Sequence, residues 1–281
     1  MRVTEDLEEL RESRRSLRGS FGLVPTMGAL HEGHASLVGR AREECDAVGV
    51  SIFVNPAQFG PGEDLGAYPR PIGRDLEMLE SLGADLVWTP AAASLYPPGY
   101  QTWVTVEEIT RPLEGGCRPG HFRGVATVVA KLFNAFTPDR AYFGQKDAQQ
   151  VAVIRRMVRD LDFPLEVVVC PTVREPDGLA LSSRNAYLGA EERRAAAVLH
   201  RALAAARALY DAGERAGEAL RAAMREELRS EPLAREEYVS VADPETLLEL
   251  DRVESGGLLS LAARIGRTRL IDNLTLEGRG R

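Results

Sequence analysis

Apolar positions recur along the chain with two periods, and the switching between them lays out the first half as strands alternating with helices. Leu7, Leu10 and Leu17 have helical spacing and predict a helix over 5–17 that stops at Gly19. An apolar run at 21–24 fits a buried strand, and a helical period follows over 35–45. The run Val-Gly-Val-Ser-Ile-Phe-Val at 48–54 predicts a second strand, stopped by Asn55-Pro56. A helix over 74–82 and a strand over 85–88, ended by Pro90, come next, and 101–106 alternates as a strand would. A Gly/Arg/His loop at 115–124 leads into an apolar helix over 125–136, then a strand at 141–144, a helix at 148–161 and a strand at 165–170. This order predicts an α/β domain: a parallel sheet with helices on both faces and a ligand site at the edge where the strands end.

The pattern changes near Ser182. Ala/Arg/Glu/Leu-rich segments predict helices over 190–211 and 216–230, followed by strands at 237–241, 258–265 and 269–276. We place a boundary just before Glu175, with a nucleotide- and substrate-binding domain over 1–174 and a smaller α+β domain over 175–281 that would act as a lid. The basic residues of the second half read as a solvated helix face.

Composition narrows the picture. With 281 residues, 44% hydrophobic and 27% charged, the chain can bury a core as one large or two modest domains. A net charge of −7 argues against a general nucleic-acid binder, which needs a basic face. Cys45, Cys117 and Cys170 have no paired spacing, so no disulfide framework is expected, and a reducing cytoplasm is the simple inference. Residues 1–18 are charged throughout and read as no signal peptide; no run approaches the length of a membrane span.

The stretch 23–34, Leu-Val-Pro-Thr-Met-Gly-Ala-Leu-His-Glu-Gly-His, organises the chemistry. A strand turning through glycines into a helix gathers unpaired N–H groups and the positive end of a dipole, which suits phosphate. His31 and His34 can share one face of that helix start. Two histidines could also ligate zinc, but zinc takes three or four ligands and none with finger spacing lies nearby. Asn55 and Gln58 follow the second strand, and their amides suit a neutral substrate bearing hydroxyls or a simple turn cap. Lys146 adds a cation at a helix start, with Asp147 as a plausible N-cap and Gln150 one turn on. Leu181-Ser182-Ser183-Arg184-Asn185 offers hydroxyls and a guanidinium on the interdomain segment, suited to closing over a phosphate chain. Asp75, at a helix start, is a candidate Mg2+ ligand or an ordinary acid of a first helical turn.

The quartet His31-Glu32-Gly33-His34 resembles the signature of the nucleotidyltransferase superfamily. Together and in order, 25–34, 53–59, Arg118-Pro119-Gly120-His121-Phe122-Arg123-Gly124, Phe143-Gly144-Gln145-Lys146-Asp147 and 181–185 resemble the pantoate–β-alanine ligase family, over nearly the whole length. The C-terminal part carries little of that signal. The resemblance implies a Rossmann-like fold and an ATP- and Mg2+-dependent condensation of pantoate with β-alanine through a pantoyl adenylate, in a cytoplasmic homodimer. It further implies that Met27, Gly28, Ala29, Leu30, His31, Glu32, Gly33 and His34 bind ATP, with His34 as proton donor. Gly144, Gln145, Lys146, Asp147, Val173, Leu181, Ser182, Ser183 and Arg184 would complete the nucleotide site, with His31, Lys146 and Arg184 acting beside His34. Gln58 and Gln150 would hold pantoate, Gln58 bordering the β-alanine site. Gln145 departs from the family pattern, which has Glu there. The rivals are a nucleotidyltransferase that stops at the nucleotidyl product, and a nucleotide sensor without catalysis. A tRNA synthetase is disfavoured by length and acidity.

Overall fold

A computed structural model describes residues 1–278 of the chain; the last three residues of the expected second domain lie outside it. Contacts divide the chain into two units, Met1–Gly144 with Val153–Pro171, and Gln145–Ala152 with Thr172 onward. The segment 145–152 thus groups with the C-terminal unit, a division that apolar periodicity alone did not mark.

The first unit holds β1 (Arg2–Thr4), α1 (Leu7–Ser16), β2 (Phe21–Thr26), α2 (Glu32–Glu44), β3 (Ala47–Ile52), α3 (Ile72–Ser81), β4 (Leu86–Trp88), α4 (Ala92–Leu95), α5 (Glu114–Cys117), α6 (His121–Phe136), β5 (Arg140–Gly144) and β6 (Glu166–Cys170). All six strands are parallel, in the order β1-β4-β3-β2-β5-β6. The central strands read as continuous apolar runs because both faces are covered. On one face Val24, Val50 and Val87 pack with Leu37 and Val38 of α2 and Leu79 of α3. On the other, Phe136 of α6 stacks near Phe21 and meets Trp88 edge-on, while Arg14 of α1 lies over the Phe21 ring. The strand β1 escaped the apolar pattern because an edge strand of three residues needs to bury only Thr4.

The strand expected over 101–106 is not one. The segment is extended, with Val104 and Val106 half-buried between exposed neighbours, but no described strand lies beside it. Its Val104 N–H donates instead to the Thr127 hydroxyl at 3.0 Å, so side-chain bonding replaces a ladder. The helices α3 and α6 begin earlier than expected, at Ile72 and His121, whereas α1 starts later, at its first leucine, behind Asp6, whose side chain accepts from the N–H groups of Glu8 and Glu9.

The helix α7 (Ala148–Asp160) follows a one-turn 3-10 helix at Gln145–Asp147 and runs through the division. The second unit then builds α8 (Ala190–Ala195), α9 (Val198–Asp211), α10 (Gly217–Arg229), β7 (Ala234–Ala242), β8 (Gly256–Ile265) and β9 (Thr268–Glu277). The single helix expected over 190–211 is two, since the backbone tightens at Ala196 and Ala197 while staying right-handed. The three strands form an antiparallel sheet, β7-β8-β9, and Leu199, Leu203, Leu220 and Met224 pack on its Val241, Leu259 and Leu261 side.

Candidate functional site

In the first unit, β2 ends at Thr26 and the chain must turn sharply to enter α2. Gly28 and Ala29 take left-handed backbone angles, φ 79° and 51°. Glycine does so freely, whereas alanine carries a strain of roughly 1 kcal/mol that the surroundings must hold in place. Asp75 holds it: Oδ2 accepts from Ala29 N–H and Oδ1 from Leu30 N–H, both at 2.8 Å. Thr26 Oγ1 accepts from Gly28 N–H at 3.2 Å and donates to Ser51 O at 2.7 Å. Asp75 is 1% exposed with both oxygens engaged. The metal-ligand role expected of it therefore does not fit: its carboxylate shapes the loop and is not presented to an ion.

His31 is the N-cap of α2, so the helix begins three residues before the apolar period does. Its Nδ1 accepts from Gly33 N–H at 3.1 Å, and His34 Nδ1 accepts from His31 N–H at 3.4 Å. The rings lie 4.1 Å apart, centroid to centroid. With Nδ1 an acceptor in each, the proton of the neutral ring sits on Nε2. Two Nε2–H donors and the start of α2 thus come from one short stretch, an arrangement suited to phosphate oxygens.

The turn after β3 carries Asn55 and Gln58. Asn55 is 1% exposed; its Nδ2 donates to Gln58 Oε1 at 2.9 Å and to Gly124 O at 3.1 Å. Its Oδ1 accepts from Ala57 N–H and from the Tyr96 hydroxyl at 2.9 Å, a phenol that burial keeps protonated. An amide so fully engaged cannot also meet a substrate, so of the two roles expected of Asn55 the structure shows the turn cap, and the side chain also orients Gln58. Gln58 Nε2 reaches the Met27 sulfur at 3.1 Å, a weak acceptor that a ligand oxygen could replace. Gly124 lets α6 approach this turn, since a Cβ there would overlap the Ala57 carbonyl oxygen.

A further cluster joins the 118–124 motif to the turn after β3. His121 Nδ1 lies 2.8 Å from Gln58 O, and its Nε2 lies 3.1 Å from Arg118 Nη1. Arg118 forms a two-pronged pair with Glu63, at 2.6 and 2.9 Å. Burial, aided by the Arg118 charge, pushes the His121 pKa down to about 4, so the ring is neutral near pH 7 and donates from Nδ1 to the Gln58 carbonyl. Burial works to raise the Glu63 carboxyl, but Arg118 outweighs it and holds it below the usual range. The signal that could have found the cluster is the run Arg118-Pro119-Gly120-His121, where charge and imidazole sit on consecutive polar turns before an apolar helix.

In the second unit, Lys146 Nζ lies 3.8 Å from Asp147 Oδ1, and its side chain is 20% exposed. Asn273 of β9 donates from Nδ2 to Gln145 O at 2.9 Å and to Lys146 O at 2.8 Å. Gln145 Nε2 donates back to Asn273 Oδ1 at 3.1 Å. A glutamine at 145 thus has a local use here, because a carboxylate could not donate to that oxygen. Val173 O accepts from Leu181 N–H at 3.0 Å, and Arg174 pairs with Ala180 in an isolated bridge. Beyond it Ser182 caps the one-turn helix Ser183–Tyr187, its Oγ accepting from Arg184 N–H at 3.3 Å. Gln150 is half-buried on α7. The expected site residues therefore fall into two sets: 27–34, 55, 58, 75 and 144 in the first unit, and 145–147, 150, 173 and 181–184 in the second.

A six-stranded parallel sheet with an imidazole pair at the turn after a central strand defines a Rossmann-like α/β protein built to receive an anion. The family profile described as pantoate-beta-alanine ligase matches residues 2–275, and the chain belongs to that family. It is 63% identical to the pantothenate synthetase of Roseiflexus castenholzii, over 99% of this chain and 100% of that one. Identity is 59% to the pantothenate synthetase of Chloroflexus aurantiacus, over the full length of both. Among solved structures, pantothenate synthetase from Thermus thermophilus superposes with a TM-score of 0.94 at 51% identity, covering 98% of this chain and 99% of that one. The pantoate-beta-alanine ligase of Francisella tularensis, complexed with β,γ-ATP and β-alanine, superposes at 0.80 with 36% identity, over 98% of this chain and 97% of that one.

Proposed function

We infer that this chain is an ATP-dependent ligase that joins pantoate to β-alanine, giving pantothenate, AMP and pyrophosphate. The observation that carries the reading is the His31–His34 pair, both Nδ1 atoms tied to backbone N–H groups, at the start of α2. Pantoate is a carboxylate and a poor electrophile, so it must be activated first. A carboxylate oxygen attacks the α-phosphorus, the bond to the bridging oxygen breaks, and pyrophosphate leaves with the electron pair. Nε2–H of His34 meets that growing charge, with His31, Lys146 and Arg184 beside it. Backbone N–H groups of 27–34, 144–147, Val173 and Leu181, with the Ser182 and Ser183 hydroxyls, line the nucleotide. Gln58 and Gln150 hold the pantoate hydroxyls. The β-alanine amine then attacks the acyl carbon near Gln58, the bond to AMP breaks, and the amine releases a proton.

Mg2+ belongs in this reading as the ion that ATP carries on its phosphates. Among the described residues no group of three or more His, Cys, Asp or Glu could hold a metal, and Asp75 is engaged elsewhere. No step is assigned to the ion beyond neutralising phosphate charge. We assign the second unit the role of a lid that shields the adenylate from water, and the protein the state of a cytoplasmic homodimer. No helix among the described residues is long and apolar enough to cross a membrane.

The test is ATP–pyrophosphate exchange without β-alanine. Exchange that appears with pantoate supports the adenylate route. Exchange that needs a different acid, or ATP binding with no exchange at all, would overturn it.

A further inference from the structure

The lysine-bearing turn is fastened from the far end of the chain. Asn273 is 4% exposed on β9, the edge strand of the three-stranded sheet. Both hydrogens of its amide are directed at backbone carbonyls, those of Gln145 and Lys146, and its oxygen accepts from the Gln145 side chain. These are the two peptide groups flanking the Lys146 Cα, so their orientation fixes where that side chain starts. The preceding residue does matching work. Asp272, 1% exposed, takes Arg174 Nη1 and Nη2 at 2.6 and 2.9 Å, and Arg174 also reaches Gly178 O and Asn273 O. Arg174 and Ala180 form the bridge that leads directly into Ser182 and Arg184. Two adjacent residues of one strand therefore anchor the turn bearing Lys146 and the hairpin leading to Arg184.

We propose that Asp272 and Asn273 are positioning residues for ATP use: they hold the Lys146 turn and the Arg184 hairpin in the arrangement that receives a triphosphate. The inference rests on Lys146 and Arg184 being ATP-facing groups. Neither Asp272 nor Asn273 is asked to touch the nucleotide. Their contribution is to remove backbone freedom from the two segments before ATP arrives, so that the charges need no ordering on binding. Asn273 is the cleaner probe, since it is neutral and its loss leaves no unpaired buried charge.

The experiment is a double-mutant cycle in the full chain between Asn273→Ala and Lys146→Ala, reading KM for ATP, KM for β-alanine and kcat, with thermal melts as a check on folding. Asn273→Ala is expected to raise KM for ATP about tenfold and leave KM for β-alanine within about twofold. In the Lys146→Ala background the same change should add less than about twofold, because the group it positions is gone. Asn273→Ser, which keeps one donor, should fall between Ala and wild type, and it replaces Asn273→Ala in the cycle if that variant does not fold. A large Lys146→Ala effect beside a folded Asn273 variant of unchanged KM for ATP would overturn the inference alone. So would losses that multiply in the double variant, or KM values for ATP and β-alanine that rise together. Wild-type ATP use in Lys146→Ala would overturn the reading beneath it, and the inference with it.

Discussion

The loop bearing the histidines and the turn bearing Lys146 are fastened by opposite chemistry. Asp75 accepts from two consecutive amides, Ala29 and Leu30; Asn273 donates to two consecutive carbonyls, Gln145 and Lys146. A buried carboxylate is the stronger acceptor, and it sits where a strained alanine has to be held against its own preference. On the other side the backbone has no positive φ to enforce, and a neutral amide is enough. Fastening strength follows the strain it must contain. A third fastener, His121 on the Gln58 carbonyl, differs again: it is an imidazole that burial holds neutral, and it takes up a proton only in acid.

The largest effect should come from what the first loop presents. His34→Ala is expected to lower pantoate-dependent pyrophosphate exchange by roughly two to four orders of magnitude. Its thermal melt should stay near wild type, because the ring is half-exposed. Full activity in a folded variant would remove His34 from the chemistry and reduce the loop to a shape.

Next comes the titrating fastener. His121 has a folded pKa of about 4 against an ordinary 6.5, so between those values the unfolded chain binds a proton that the folded one refuses. Stability should therefore fall as pH drops from 6.5 towards 4, by about 3 kcal/mol in all, and level off below. Glu63, held low beside Arg118, adds a further loss once pH falls below the ordinary carboxyl range. Glu114, also near Arg118, is the remaining acid of the cluster. Denaturant melts across this range should show the slope in wild type and lose its upper part in His121→Gln; an unchanged slope would refute the buried neutral ring.

Asp75→Asn sharpens the comparison itself. One acceptor survives and an NH2 group faces a backbone N–H, which should cost about 1–3 kcal/mol of stability and raise KM for ATP. If Asp75→Asn proves milder than Asn273→Ala in both readouts, the link between strain and fastening strength is wrong. The smallest effects concern the acyl substrate. Gln58→Ala and Gln150→Ala should each weaken pantoate about tenfold, near 1.4 kcal/mol, while ATP changes far less. Titrating each ligand alone decides it, and equal weakening of both would make these glutamines structural.

How far the chain could be read in advance follows the range of each interaction. Parallel strands with both faces buried announce themselves, as at Ala47–Ile52, because nearly every residue is apolar, with Ser51 the exception. The anion cradle was legible for a similar reason: Gly28, His31 and His34 lie within one stretch, and the bonds that orient the rings span two or three residues. Asp75 was seen but misassigned. A carboxylate in a first helical turn looks the same in sequence whether it meets a metal, water or a distant loop, and the loop it holds lies 45 and 46 residues away. Asn55 stays open between substrate amide and turn cap for the same reason, since in sequence an amide engaged on both sides reads like one that is free. Asn273 left no trace at all: its partners lie 127 and 128 residues away, beyond the reach of any periodicity. The edge strand Arg2–Thr4 was invisible because its pairing is backbone to backbone and asks little of its side chains.

The place of Asn273 along the chain has a bearing on biosynthesis. A ribosome delivers all six strands of the parallel sheet, and both histidines, roughly a hundred residues before it delivers β9. Throughout that interval the emerging protein can organise its first unit, but the turn at Gln145–Asp147 still lacks the residue that fastens it. If Asn273 positions Lys146 as proposed, tight use of ATP matures only after β9 has been made, and a nascent chain short of Asn273 would hold the sheet while taking the nucleotide more weakly.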